Sequence, residues 1–414
     1  MLSTLFSRRF ATGLGLTLAL GAALLTSCDD DTDTTPAVTV TKADVVAQYG
    51  DIVYYTYLDS REAAVAMRAA FQTLVTTPTA ANLAAAQSAY IAARTPYEQT
   101  EAFRFYGGPI DGTVNGVDGP EGLMNGWPLD ENYIDYTAGS PGYNIIGDAA
   151  AYPSISKSML EALNGGGGSE TNISTGYHAI EFLLWGQDLS TTTAGVRPYT
   201  DFVAGTNPSP SSSGFYAERR GQYLLAATDL LIDNLNYLVT QWTPAQSNYR
   251  QTLTTMPADS ALLRIFTGLG EFTSGELYGE RMEVAYVSQE QEDEHSCFSD
   301  QTHNDFVFGQ KSINNVYFGR YTRTNGTVVD GVGLNDLVAA RSVAADAAVQ
   351  NALVKSDIAV VAILTRATNA TSPEHFDQQI ITSGGRPVVK AAVDAGKEQG
   401  LALAAAAAAL GLQI

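Results

Sequence analysis

Apolar residues recur at three- and four-residue steps over ADVVAQYGDIVYYTYLDSREAAVAMRAAFQTLVT, residues 43 to 76. That is the period of an amphipathic helix. Thr77-Pro78-Thr79 ends it, and the same period returns over about 80 to 106. It returns again over 215 to 242, about 257 to 290, a short stretch at 300 to 311, about 335 to 368 and 384 to 410. The last of these is alanine-rich, which favours helix intrinsically and permits close packing. Strand alternation is confined to YFGRYTRTNGTVVDG, 317 to 331, where Asn325-Gly326 marks one small hairpin. The pattern predicts an all-α protein: two helical-bundle halves of long antiparallel helices joined by long irregular loops.

Between the helices, residues 107 to 144 are so dense in glycine and proline that they must run as a long loop with short helical turns. Loops of that length inside compact domains tend to be functional. GTNPSPSSSG, 205 to 214, has the composition of a boundary. It divides an N-terminal bundle, 43 to 210, from a C-terminal bundle, 211 to 414.

The first 27 residues have a different character. Arg8 and Arg9 precede an apolar run that ends in small residues, the form of a secretory signal. Leu25-Thr26-Ser27-Cys28 has the form of a bacterial lipobox, so Cys28 is the expected lipidation site and first mature residue. Residues 28 to 42 are an acidic, aperiodic tether. The aspartates after Cys28 favour the outer membrane or cell surface over the inner membrane, with a periplasmic face left open.

Cys297 is then the one remaining thiol, so no disulfide staples the fold. The formal charge is -21, and -23 once Arg8 and Arg9 leave (21 basic against 44 acidic residues). That balance excludes nucleic acid as a partner and excludes a basic patch on anionic lipid.

Candidate chemistry concentrates in three stretches. In TGYHAIEFLLWGQDL, His178 and Glu181 are three residues apart on an otherwise apolar helix, on a stripe that continues to Trp185 and Asp188. A carboxylate there must be paired, protonated or bound to a cation. In IAARTPYEQTEAFRFYGGPID, Arg94, Glu98, Glu101 and Arg104 make one charged helical stripe among aromatic residues, with Asp111 after the helix end. Brought to His178 and Glu181, those acids would make an oxygen-rich site suited to iron or manganese. In QEDEHSCFSDQTHNDF, Ser299 or Asp300 reads as an N-cap, with His303 and Asp305 in the first helical turns and Cys297 as a buried, inert thiol. His375 has no distinctive setting. No HExxH, HxxEH, GxSxG or phosphate-binding glycine loop is present.

Gly176-Tyr177-His178-Ala179-Ile180-Glu181 spells GxHxxE. With ARTPYEQTEAFRFYGGPID, GPEGLMNGWPLDENYIDY and EHSCFSDQTHND, it resembles the imelysin family, in particular its iron-regulated protein A branch. The resemblance implies an all-helical envelope protein, often a lipoprotein, with a site between two bundle-like halves. It implies iron, or another divalent metal, or a small iron-bearing ligand as the bound species, for uptake or sensing with an envelope transport partner. His178 and Glu181 carry over as metal ligands, with Gly176 and Trp185 in support. Glu98, Glu101 and Asp111 carry over by pattern as further ligands, and Arg104 as the group that orients a carboxylate. The family's founding members were described as metallopeptidases, which makes Glu181 a catalytic candidate in that alternative. A metal-free ligand- or protein-binding module is the third expectation.

Overall fold

The computed structural model describes residues 40–139, 144–205 and 216–413. The segment expected to be a signal peptide, Cys28 and most of the expected tether lie outside the described residues. Thr41 opens the first helix, α1 (Lys42–Thr76), with a capping box. Its hydroxyl accepts from the Asp44 N–H at 3.2 Å, and the Asp44 carboxylate accepts from the Thr41 N–H at 3.1 Å. Thr79 caps α2 (Ala80–Glu98) by accepting from the Asn82 N–H. This helix stops at Glu98, well short of 106. Pro96 sits in its last turn and supplies no N–H, and the chain tightens into a 3-10 turn at Glu101–Phe103 before Phe105 turns to φ 67°. The acids of this segment therefore share no single helical face.

The later α-helices of ten or more residues are α3 (Gly176–Trp185), α4 (Ala217–Trp242), α5 (Ala258–Glu271), α6 (Thr302–Tyr317), α7 (Val343–Ala367) and α8 (Arg386–Ala409). From α5 the chain stays helical through a π-helical stretch, Phe272–Glu283, and on to Ser288. π-Helical turns are rare and recur at functional sites. The last turn-forming helix before the hairpin, α6, is longer than expected and starts at Thr302 with Gln301 as its N-cap, so neither Ser299 nor Asp300 caps it. The hairpin forms as the pattern predicts, with Tyr321 opposite Val329. A second two-stranded ribbon pairs Thr113–Val114 with Val117–Asp118. Helices dominate the rest, and the fold is all-α.

α1 packs against both α2 and α4, and α3 packs against α4 and α2. α7 pairs with α8, which lies along the π-helical stretch. α6 joins the two groups, touching α2, the Glu101–Phe103 turn and α7. The boundary drawn at 210 and 211 falls outside the described residues, and α4 beyond it packs with the first group. Val40–Ile414 is one compact unit. All ten residues of α3 are buried. An apolar helix this short is stabilised by its setting: burying each Phe or Leu side chain is worth about 1.5–3 kcal/mol.

Candidate metal or ligand site

α3 starts where the backbone comes close to another strand of chain. Gly176 has φ +84°, and a Cβ on it would stand 2.5 Å from the Met124 carbonyl oxygen. Glycine is required there both for its dihedral and for the approach. The turn sets His178 and Glu181 inward, both fully buried.

Glu181 is saturated by protein groups. One oxygen accepts from the backbone N–H of Ser299 at 3.0 Å and from its hydroxyl. The other accepts from the Tyr90 hydroxyl at 3.3 Å and lies 3.1 Å from His178 Nδ1. Trp185 rests edge-on against Tyr90, with ring centroids 5.4 Å apart, and so supports this contact from outside. Burial above all pushes the Glu181 carboxyl up to about 7, against the pull of Ser299 and Arg94. With Nδ1 engaged by Glu181, Nε2 of His178 is buried and has no hydrogen-bond partner. Burial first, and Arg94 second, hold the His178 imidazole well below the usual histidine range. A neutral ring with an acid on one nitrogen and a free lone pair on the other is the arrangement of a metal-ligating histidine.

The ring of His178 meets His295 edge to face, at 4.7 Å and 79°, and Trp127 at 4.9 Å. His295 Nδ1 lies 2.8 Å from Asp305 Oδ2, which also accepts from the Ser296 hydroxyl at 2.6 Å. Glu98, His295 and Asp305 each bring one ligand atom within 4.8 Å of the other two. No other group of three or more such residues meets that spacing among the described residues.

Arginines bind this cluster into a network. Arg94 pairs with Glu98 and reaches Asp305 at 3.4 Å. Arg281, from the π-helical stretch, pairs with Glu101 and reaches Glu98 at 3.3 Å and Glu276 at 2.8 Å. Arg104 meets Glu101 at 2.8 Å and Glu121 at 2.9 Å. Burial drives Glu98 upward, whereas for Glu101 the pull of Arg104 and Arg281 outweighs burial and drives it downward. Glu101 is therefore the lasting anion of that pair. A cavity of about 350 Å³, lined by Arg104, Glu121, Trp127, Glu276, Arg281 and His295 among others, opens onto the network.

The structure thus brings His178, Glu181, Glu98, Glu101 and Arg104 into one buried region. Asp111 stands apart from the Glu98–His295–Asp305 group. It is exposed, and its carboxylate accepts from the Phe105 N–H, holding the turn that follows the 3-10 segment. His295, Asp305, Arg281, Ser299, Tyr90 and Trp127 complete the region without having been singled out for it. EHSCFSDQTHND carried the signal for two of them, in the spacing of its histidines and acids. Arg281 carried none, since a π-helical register is invisible to a 3.6-residue period. Cys297 is buried, and burial pushes its thiol well up, as an inert thiol requires.

The family profile described as Imelysin matches residues 53–403. A 134-residue segment is 34% identical to the iron-regulated protein A of Synechococcus elongatus, covering 32% of this chain and 34% of that protein. The match thus spans about a third of that relative's length. Among solved structures, an iron-regulated protein A precursor from Parabacteroides distasonis superposes with a TM-score of 0.65 at 17% identity, over 91% of this chain and 97% of that one. An imelysin-like protein from Psychrobacter arcticus gives 0.55 at 13%, over 91% and 98%. At these identities the two structures speak to the fold alone.

Proposed function

This chain belongs to the imelysin family, and on that premise we propose that it binds iron, or a small iron-bearing ligand, for uptake or sensing at the cell envelope. The observation that carries this reading is the convergence of Glu98, His295 and Asp305 within 4.8 Å, with His295 also lining the neighbouring cavity. Oxygen donors with one or two neutral imidazoles suit iron or manganese. Glu98, Glu101, Asp305, Glu121 and Glu276 outnumber Arg94, Arg104 and Arg281, so the network has negative charge to spare even with Glu98 protonated. Such an excess attracts a cation through the cavity mouth. The name of the Synechococcus relative points the same way.

In this reading His295, Glu98 and Asp305 hold the ion, and His178 packs edge to face against the His295 ring and positions it. Glu181 orients His178 rather than ligating. A peptidase would need Glu181 to face a metal-bound water, and its four hydrogen-bond partners already occupy it. A lipid on Cys28 would tether the protein through the acidic segment to the outer membrane or cell surface.

Chelator-stripped protein titrated anaerobically with Fe2+ tests the site. Glu98→Gln and His295→Ala are each expected to weaken binding at least tenfold, and wild-type affinity in both variants would sink the assignment. Membrane fractionation of a Cys28→Ser variant tests the anchor, which predicts release into the soluble fraction.

A further inference from the structure

α7 is apolar on two opposite faces, and the fold uses one of them. Val349, Leu353, Val360 and Ile363 are buried, where α7 packs against α6 and α8. On the other side Ala344, Ala347, Asn351, Val354, Ile358 and Val361 follow one another at steps of three and four residues, and all six are exposed. Val354 is 56%, Ile358 66% and Val361 47% exposed. Among the described residues α7 is the one helix long and apolar enough to cross a membrane, yet only 33% of its most apolar stretch is buried. Its apolar content therefore exceeds what the core takes up, and an exposed apolar row of this kind marks an interaction surface.

The face continues onto α8. Lys355 pairs with Glu398 across the two helices. Leu401, one turn beyond Glu398, is 74% exposed. Charge sets these helices apart from the rest of the chain. Together α7 and α8 carry five basic and four acidic residues, near neutrality in a chain of formal charge -21. Two copies of so acidic a chain repel each other over most of their surfaces, and this face is where they can meet without repulsion. A lipid surface fits less well. A helix lying on a membrane needs unanswered basic residues beside its apolar row. Here each lysine has an acid: Lys355 has Glu398, Lys390 has Asp394 and Lys397 has Glu283.

We propose that the α7–α8 face is the interface between two copies of this chain, paired through α7. Alternating three- and four-residue steps are the spacing by which one helix seats its side chains between those of a facing helix. Asn351, the one polar residue among those six, is of the kind that fixes register in such a seam. A two-fold pair presents the same row from both sides, so each copy supplies what the other lacks. The size also fits. A helix of 25 residues is about 37 Å long and about 10 Å wide. With α8 beside it the face measures roughly 37 by 20 Å, or about 700 Å2 per copy, close to the ~800 Å2 per partner of a standard stable interface. The pairing rests on these helices alone and not on iron binding.

Sedimentation equilibrium of the full chain carrying Cys28→Ser, which removes any lipid, tests the pairing. A dimer is expected at about 50 µM protein, with a dissociation constant of about 10 µM or below. Adding Val354→Glu and Ile358→Glu should weaken self-association by about tenfold or more. Helical circular dichroism should stay unchanged, because both side chains are exposed in the single chain. If that variant loses helix, Ile358→Ser takes its place and should weaken the dimer in the same direction. Val196→Glu, at an exposed residue of another segment, should leave the dimer intact. A monomer at every concentration, or a dimer untouched in a folded α7 variant, would overturn the proposal. Loss of the dimer with Val196→Glu alone would place the interface elsewhere. A monomer that sediments with phosphatidylcholine vesicles through Val354 and Ile358 would give the face to lipid and would overturn it too.

Discussion

His178 and His295 meet ring edge to ring face with centroids 4.7 Å apart, although one lies on α3 and the other on the loop leading to α6. The contact joins the GxHxxE helix to the Glu98–His295–Asp305 group. His178 donates no ligand atom to that group in its present geometry, yet it packs against the ring that does.

His178→Ala is therefore expected to weaken iron binding by about 10–100-fold without abolishing it, the usual cost of losing an outer-shell partner. Glu181→Gln should produce a smaller loss, because Tyr90 and Ser299 still hold the amide in place. Calorimetric titration with Fe2+ or Mn2+ measures both. Complete loss with His178→Ala would mean that Nε2 is a primary ligand.

The pH dependence of stability should carry opposite contributions from rings and acids. His178 and His295 are held well below the usual histidine range, by burial first and by Arg94 and Arg281 respectively next. The unfolded chain takes up their protons below about pH 6.5 while the folded protein does not. Their contribution to stability thus falls as pH drops from about 6.5 toward the folded values. Glu181, raised to about 7, acts the other way: the folded state keeps its proton where the unfolded chain has lost it, so stability falls as pH rises from about 4 to 7. Urea midpoints of metal-free protein between pH 5 and 8 should show an acid-side decline in the wild type. That decline should shrink in the His178→Asn/His295→Asn variant, and parallel curves would contradict the assignment.

Gly176→Ala should cost about 1–3 kcal/mol. The residue is held at φ +84°, and the added methyl would meet the Met124 carbonyl at 2.5 Å. Thermal unfolding would register the loss as a fall of several degrees. Metal affinity should fall with it, because the start of α3 fixes where His178 sits.

Asp135 is a structural anion. It takes two hydrogen bonds from Arg220, at 2.6 and 2.8 Å, and one from Arg197 at 2.9 Å. Burial raises its carboxyl, but the two guanidiniums outweigh that and hold it below the usual aspartate range. Its contribution is complete above about pH 3.9, the unfolded value, and is lost as pH falls through the lower folded value. Asp135→Asn removes one of the two carboxylates that Arg197 and Arg220 share, Asp201 being the other, and should cost about 3 kcal/mol at neutral pH. The variant should also lose part of the wild type's steepening below pH 4, with denaturant midpoints as the readout.

The helical content, the hairpin at Asn325-Gly326 and the burial of α3 were all legible in the chain. Each rests on local chemistry: a 3.6-residue apolar period, a turn-forming dipeptide, a run of apolar side chains on every face. The charged segment near Glu98 was legible as to composition and misread as to shape, because Pro96 and Phe105 break the helix that periodicity extends. Asp111 looked like a ligand by its position after that segment, but a backbone N–H uses its carboxylate.

Local residue order thus established which side chains are chemically able to hold a cation, and that His178 and Glu181 share one apolar helix face. Packing established which of them meet. Arg281 reaches Glu98 through a π-helical turn, while His295 arrives on a loop and Asp305 in the first turns of α6, both from the far half of the chain. Those contacts join residues far apart along the chain. They are set by the burial of α3 and α6 against the rest of the core and by the need of each buried charge for a partner, and neither leaves a trace in the residues on either side.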